Sequence, residues 1–453
     1  MHARRDNDTP LETHLRSVIR FRGGPLPVAD FMSEVLTHPT LGYYMTRDVF
    51  GTRGDFVTSP EVSQLFGEMC GVWAACTWEA MGRPKRVLLT ELGPGRGTLM
   101  ADLLRAVGAL PGLREALEVH LVEVSPALRR MQASALGCGD AAGVLGSGTT
   151  AGGVRVRWHS ALATVPAGPI VLVAHEFFDA LPVHQFQRTE RGWCERLVDV
   201  GTAAPPGAPP GTPPPPLRFV LSRGPTAASR LLVPRRLEAL PKAEADALWA
   251  LEARASSKQH AFKPITSPDA ALPLLAQMSP RSMGAWEEVA QRVAAHGGAA
   301  LAVDYGEEGP IAHSLQAIRQ HAFVDVLDRV GSADLSAHVD FGALRLAAAG
   351  AAERAAQLAG ATQPAVRSYG PVTQRALLAS LGIEARLNAL LQRATDEQAE
   401  ALIRGAQRLV GDDAEEAKDG GKDAAQPPGM GVRYKAMALA HADLPVPVGF
   451  ESA

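Results

Sequence analysis

An α/β chain built on a parallel, doubly wound sheet is the fold class that this 453-residue sequence predicts. Three observations predict it. Short apolar runs at Val87–Leu92, Val119–Val124, Val154–Trp158, Ile170–Ala174 and Ala299–Val303 have the length of buried strands. Segments with apolar residues at helical spacing lie between several of them. A glycine-rich turn follows the first run, where such a segment begins.

Each element has a local justification. After the glycine turn, Leu99, Met100, Leu103, Leu104 and Val107 recur on one helical face. Ser125-Pro126 opens the next helix, with serine as N-cap and proline at the first helical position. Upstream, Ser59-Pro60 gives a similar start signal, and Val62, Leu65, Phe66, Met69, Trp73 and Cys76 form one helical face. Residues 137–153 (Gly, Ser, Thr), 202–216 (polyproline) and 411–429 (acidic residues, Lys, Gly) read as insertions or linkers. The proline run is expected to be stiff and extended. Ala-rich stretches near 242–260 and 347–361 are compatible with helix.

Composition narrows the function classes. Hydrophobic residues at 46% and charged residues at 21% exclude a wholly disordered chain. A net charge of −3 gives no electrostatic case for nucleic acid or an anionic membrane surface. The four cysteines contain no C-x-x-C pair, which argues for a reducing compartment and against a zinc ribbon or disulfide scaffold. No His/Cys/Asp cluster has metal-ligand spacing, so no metal is expected. No apolar run has membrane-spanning length, and the first residues have no hydrophobic core of a secretory signal. Arg4 and Arg5 are compatible with a truncated presequence or a mature end. Asp6 and Asp8 count against an intact presequence.

The sharpest motif is Glu91-Leu-Gly93-Pro-Gly95-Arg-Gly97-Thr98 at the first strand–helix junction. Glycines at 93, 95 and 97 let a ligand approach the backbone, and the helix start presents free N–H groups to an anion. A phosphate or the carboxylate of a methionine moiety would suit that geometry; a ligand-free turn is the plain alternative. The spacing is G-x-G-x-G rather than the dinucleotide G-x-G-x-x-G, and no P-loop lysine follows. Glu91 would be unfavourable beside a pyrophosphate and favourable beside a sulfonium or an α-amino group, so S-adenosyl-L-methionine is preferred over NAD. Glu123, at the end of the second strand, can accept hydrogen bonds from ribose hydroxyls. Glu176 and Asp179, in His175-Glu-Phe-Phe-Asp179, follow the fourth strand, where ligands of open α/β sheets collect. Two carboxylates there suit a forked guanidinium, although Asp179 as a cap and His175 as an ordinary hydrogen-bonded residue are the plain readings.

With these residues the chain resembles the MidA-type methyltransferases, the complex I assembly-factor protein arginine methyltransferases of mitochondria with bacterial relatives. The resemblance runs through Phe31-Met-Ser-Glu-Val-Leu, Leu41-Gly-Tyr-Tyr, Gly54–Glu61, the Glu91–Thr98 loop, Val122–Pro126, His175–Phe186, Val303-Asp-Tyr-Gly306, Ala333–Phe341 and Gly429-Met-Gly431. The His175–Pro182 form and the closing Pro447-Val-Gly-Phe-Glu are similar to the eukaryotic branch. It implies a class I methyltransferase (Rossmann-like) fold with S-adenosyl-L-methionine as donor. The implied reaction is symmetric dimethylation of an arginine in a core iron–sulfur-protein subunit of complex I, in the mitochondrial matrix. Gly93, Gly95, Gly97 and Glu123 would hold the cofactor together with Glu91 and Ser59, the latter within a Gly54–Glu61 segment that could close as a lid. Glu176 and Asp179 would line the acceptor side.

The implied organisation is a mainly helical subdomain over 1–85, a cofactor-binding core over 86–200, a Pro-rich linker and insertion over 201–298, and the rest of the methyltransferase domain over 299–453. A non-catalytic complex I assembly chaperone with a vestigial pocket is the alternative, and a homodimer is compatible with either.

Overall fold

The computed structural model describes residues 8–46, 58–139, 146–202, 213–238, 275–411 and 429–451. The chain divides into two compact units, each assembled from three separate stretches. The larger takes Tyr44–Asp179, Met283–Gly306 and Leu344–Ala453; the smaller takes Met1–Tyr43, Ala180–Ser282 and Glu307–Ala343.

In the larger unit eight strands form one sheet: β1 (Val87–Leu92), β2 (Leu117–Val122), β3 (Ser147–Thr149), β4 (Arg155–His159), β5 (Ile170–His175), β6 (Gly298–Glu307), β7 (Val366–Thr373) and β8 (Tyr434–His441). Their spatial order is β7-β8-β6-β5-β1-β2-β4-β3. The five strands β4, β2, β1, β5 and β6 are mutually parallel, while β8 runs antiparallel between β6 and β7. From β1 the chain first builds outward through β2 to β4, then returns to place β5 on the other side of β1. The carboxyl edge between β1 and β5 is therefore the switch point where such sheets bind ligands.

Burial explains the strands. Every residue of β1 and β5 is buried, as expected of parallel strands covered on both faces. The helix α1 (Gln64–Ala80) starts at Ser63, whose side chain accepts the Leu65 N–H, and sends Leu65, Phe66, Met69 and Trp73 into the core. Helix α2 (Thr98–Val107) starts at Gly97 and buries Leu99, Met100, Leu103 and Val107. Helix α3 (Pro126–Ala135) is capped by Ser125, as Ser-Pro predicts.

The class I methyltransferase architecture expected of the sequence is present, with three local departures. The second strand starts two residues earlier than the apolar run suggests, because Leu117 and Glu118 already pair with Val87 and Leu88. Ser147–Thr149, inside a stretch expected to be an insertion, joins the sheet as an edge strand. Strand β8 had no counterpart in the sequence reading. The 347–361 stretch is helical, within Phe341–Ala359. Most of the polyproline and acidic stretches, the 242–260 segment and residues 54–57 of the expected lid lie outside the described residues.

The smaller unit contains an antiparallel sheet of His184–Thr189, Gly192–Val200, Leu217–Pro225, Leu275–Met278 and Leu26–Pro27, and a three-stranded sheet of Ala322–Val324, Gln316–Arg319 and Asp334–Ser336. The sequence reading placed no strands across 184–225. No described helix is long and apolar enough to cross a membrane. All four cysteines are free.

Candidate active site

Register brings the acidic residues together. Leu92 pairs with both Val122 and Ala174, and Val303 pairs with His175. The parallel pairing of four strands thus stops at one level, and the residues just before or beyond it (Glu91, Glu123, Glu176, Asp304) share the carboxyl edge of one sheet.

The glycine loop has the backbone that its composition predicts. Gly93, Gly95 and Gly97 have φ of 62°, 51° and 86°, a region that L side chains rarely occupy. A β-carbon on Gly93 would lie 2.9 Å from Cδ2 of Phe177, and one on Gly97 would lie 3.1 Å from the Cα of Gln132. Gly97 is the N-cap of α2 and has no side chain to cap it, so the first-turn N–H groups have no capping side chain. Glu91 is buried, and its Oε2 has no hydrogen-bond partner. Burial, and secondarily the nearby Glu123 carboxylate, pushes its pKa up to about 8.

Glu123 is fixed from every side. Its N–H donates to the His159 carbonyl at 2.9 Å, and its own carbonyl accepts two bonds from the Arg129 guanidinium at 2.8 and 2.6 Å. One carboxylate oxygen accepts the Ser125 N–H at 2.7 Å and the other the Gln132 amide at 3.2 Å. The Val124 backbone N–H also bonds the carboxylate, which leaves acceptor capacity for a ligand hydroxyl. Burial raises its pKa, and these hydrogen bonds oppose the rise.

Gln132 was missed in the sequence. Its Nε2 donates to the Gly95 carbonyl at 2.8 Å as well as to Glu123, while its Oε1 accepts the Trp158 indole N–H at 2.9 Å. One fully buried amide thus ties the glycine loop to the β2 acid.

Just beyond β5, Glu176 has its side chain only 7% exposed and a φ of 45°, a left-handed conformation unusual for glutamate. Its N–H donates to the Val303 carbonyl at 3.0 Å. Its carboxylate takes the Ser59 N–H at 3.4 Å and a hydrogen bond from Tyr434. Asp179 Oδ2 accepts the Tyr305 hydroxyl at 2.8 Å. Asp304 is fully buried and accepts the N–H groups of Phe178, Asp179 and Tyr305. Burial and mutual repulsion with Asp179 hold the pKa values of Glu176 and Asp304 well above the carboxylate range.

Ser59 is brought to Glu176, and its hydroxyl to Gln374 and Met430, rather than to the glycine loop. Its short helix reaches that loop through Glu61, 3.6 Å from Arg96. His175 packs on Phe66, and burial lowers its pKa to about 3, so it stays neutral. Tyr305, Tyr434 and Asp304 were not singled out as site residues. Val303-Asp-Tyr-Gly306 was visible only as part of the resemblance. In the smaller unit His14, Glu34 and His38 approach within 4.8 Å. His14 is engaged with Glu34, and the His38 Nδ1 accepts two backbone N–H groups.

Comparison with known proteins gives this geometry its class. Residues 69–360 match the family described as "Putative S-adenosyl-L-methionine-dependent methyltransferase". The chain belongs to this family, and its cofactor is S-adenosyl-L-methionine. It is similar to the protein arginine methyltransferase NDUFAF7, mitochondrial, of Danio rerio, at 38% identity over 387 residues, covering 83% of this chain and 78% of the relative. The Drosophila melanogaster homolog of that protein is 38% identical over 441 residues, with 94% and 85% covered. The Homo sapiens protein is 36% identical over 414 residues, with 89% and 80% covered. Among solved structures, a protein from Burkholderia thailandensis bound to S-adenosyl-homocysteine matches with a TM-score of 0.67 and 26% identity, over 98% of this chain and 94% of that one.

The residues present fit the cofactor. The unpartnered Glu91 oxygen suits a cationic or ammonium group, the start of α2 suits a carboxylate, and Glu123 suits a ribose.

Two outcomes follow. Glu91 has a folded-state pKa of about 8, above its ordinary 4.5, so the stability it contributes is present below the lower value and lost as pH rises to the upper one. Glu91→Gln is free of that loss. Thermal melts of the ligand-free protein should show the variant gaining on the wild type from about pH 5 to pH 8 and levelling beyond. A gap that stays flat with pH would contradict the assignment. Gln132→Leu leaves the Gly95 carbonyl and Trp158 N–H without partners, an expected loss of about 1–3 kcal/mol each, read by urea denaturation.

Proposed function

We propose that this methyltransferase acts on an arginine side chain of a protein, with Glu176 and Asp179 as the acceptor-side carboxylates. The observation that supports the reading best is Phe177. This residue lies between the two acids in sequence, and its ring sits against Gly93 of the glycine loop, so the acid-bearing turn and the loop are in direct contact. The names of the relatives point the same way.

In this reading Glu91, Gly93, Gly95, Gly97 and Glu123 hold the cofactor, and the Ser59 segment flanks it. S-adenosyl-L-methionine supplies an activated methyl group on a sulfonium. The chain's own task is alignment, exclusion of water and management of charge. Arginine enters protonated at neutral pH, and its planar fork matches two carboxylates. Glu176 and Asp179 bind that fork and turn one nitrogen toward the methyl carbon. The new N–C bond would replace the S–C bond of the sulfonium, whose electron pair stays on the departing thioether sulfur; the nitrogen must give up one proton, and a carboxylate accepts it. Burial holds a proton on Glu176 when no cation is present; the guanidinium makes the ionised form favourable.

The finer reading follows the resemblance: symmetric dimethylation of a core iron–sulfur-protein subunit of complex I in the mitochondrial matrix, in support of complex I assembly.

The test is incubation of that subunit with the full chain and isotopically labelled cofactor, followed by mass spectrometry of arginine peptides. Labelled dimethylarginine is the expected result. Cofactor binding without transfer to any arginine would instead favour the assembly-chaperone reading. Glu176→Gln should lower turnover by about 100-fold or more while leaving S-adenosylhomocysteine affinity unchanged by calorimetry; normal turnover would remove Glu176 from the reaction. Gly93→Ala adds a β-carbon 2.9 Å from the Phe177 ring at a φ of 62°, and should weaken cofactor affinity at least about tenfold in the same assay.

A further inference from the structure

Glu176 sits at a φ of 45°, a conformation that the surroundings must enforce. The enforcement comes from the end of the neighbouring strand, β6. Val303 takes the Glu176 N–H at 3.0 Å. Asp304 Oδ2 takes the N–H groups of Phe178 at 3.0 Å and Asp179 at 3.3 Å, and its Oδ1 takes the Tyr305 N–H at 2.9 Å. The Tyr305 hydroxyl then holds Asp179 Oδ2 at 2.8 Å. Three consecutive residues of β6 thereby contact every residue of the turn that bears polar chemistry.

We infer that Asp304 is a positioning residue for the acceptor carboxylates, with Tyr305 as its partner: it sets the 176–179 turn through backbone N–H groups. This rests on the proposed role of Glu176 and Asp179. A carboxylate is the side chain that can accept on both oxygens at once. An amide of the same shape accepts on one side only and presents a donor on the other, facing an N–H. A bystander in the core would not need an acid here, because a buried acid without such work is unfavourable.

Asp304 also faces the reacting acids electrostatically. The titratable groups around Glu176 and Asp179 are Asp304 and Tyr305 from β6, Tyr434 from β8, Glu61 from the Ser59–Val62 helix and His175 from β5. His175 is neutral, and the Glu176 and Asp179 carboxylates, after burial, raise the pKa of Asp304. Removing the Tyr305 hydroxyl, which stabilises ionised Asp179, makes Asp179 ionise at higher pH.

The experiment uses the full chain with cofactor and the same arginine substrate, comparing wild type, Asp304→Asn, Tyr305→Phe and Glu176→Gln. Asp304→Asn should lower kcat by about 100-fold with the KM for cofactor unchanged, since displacement of aligned groups has that size of effect. The acid limb of kcat against pH should move to higher pH in Tyr305→Phe, which loses the hydroxyl bonded to Asp179. Amide hydrogen exchange at residues 176–179, measured without substrate, should accelerate in Asp304→Asn. If Glu176→Gln is inactive while Asp304→Asn keeps wild-type kcat and exchange, the positioning role is overturned and the acceptor site stands. If Glu176→Gln is fully active, the acceptor reading itself is overturned, and the exchange result alone decides whether Asp304 orders the turn. Should Asp304→Asn fail to fold, Tyr305→Phe decides: an unshifted acid limb and unchanged kcat overturn the proposal.

Discussion

Putting several carboxyl groups out of water at one edge of a sheet is the constraint on which the rest of this structure depends. Glu91, Glu123, Glu176 and Asp304 all lie at the carboxyl ends of adjacent strands, and each is buried or nearly so. An isolated buried carboxylate is strongly unfavourable, so it must be hydrogen-bonded, protonated or neutralised by a cation. Glu123 takes the first solution, through the Ser125 N–H and the Gln132 amide, and Asp304 combines backbone N–H bonds with a pKa held well above the carboxylate range. Glu91 takes the second, its pKa raised to about 8 with one oxygen unpartnered. The third solution is left to a ligand.

Register makes this crowding possible. With Leu92 opposite both Val122 and Ala174, and Val303 opposite His175, strand ends and their following turns meet at one level. In a parallel strand buried on both faces, slippage by one residue reverses every side chain. All the other residues of β1, namely Val87, Leu88, Leu89, Thr90 and Leu92, are buried as well, so Glu91 has no exposed position on its strand to slip to. Two contacts then couple the turns: Phe177 against Gly93, and Gln132 between Gly95 and Glu123. The proposed donor and acceptor sides therefore share packing.

Much of this was legible in the sequence where the signal is local. The strand runs, the Ser125-Pro126 helix start and the glycine loop each announce themselves within a few residues. Glu123 and the Glu176/Asp179 pair could be picked out because each directly follows a strand. Gln132 could not: a glutamine within a helix reads as surface, and only the fold places it between Gly95 and Glu123. Asp304, Tyr305 and Tyr434 lie more than a hundred residues from the turn they support, so no window of sequence relates them to it. Strand β8 was hidden by composition, since Tyr-Lys-Ala-Met-Ala-Leu-Ala-His is rich in helix-favouring alanine and becomes a strand through burial between β6 and β7. The strands of 184–225 alternate weakly and flank a proline run, which drew attention to a linker instead.

The same crowding of acids bears on which acceptor the site would favour. A neutral acceptor would leave Glu176 and Asp304 protonated and offer them no compensation for ionising. A lysine ammonium carries the charge, but as a compact point with donors set tetrahedrally, and its pKa falls readily on burial. A guanidinium keeps its proton in a dry site and spreads its donors in a plane, so one side chain can engage two carboxylates while a nitrogen stays turned toward the donor. Holding Glu176 in a left-handed backbone conformation, against its own preference, fits a requirement for that fixed two-point geometry rather than for negative charge alone.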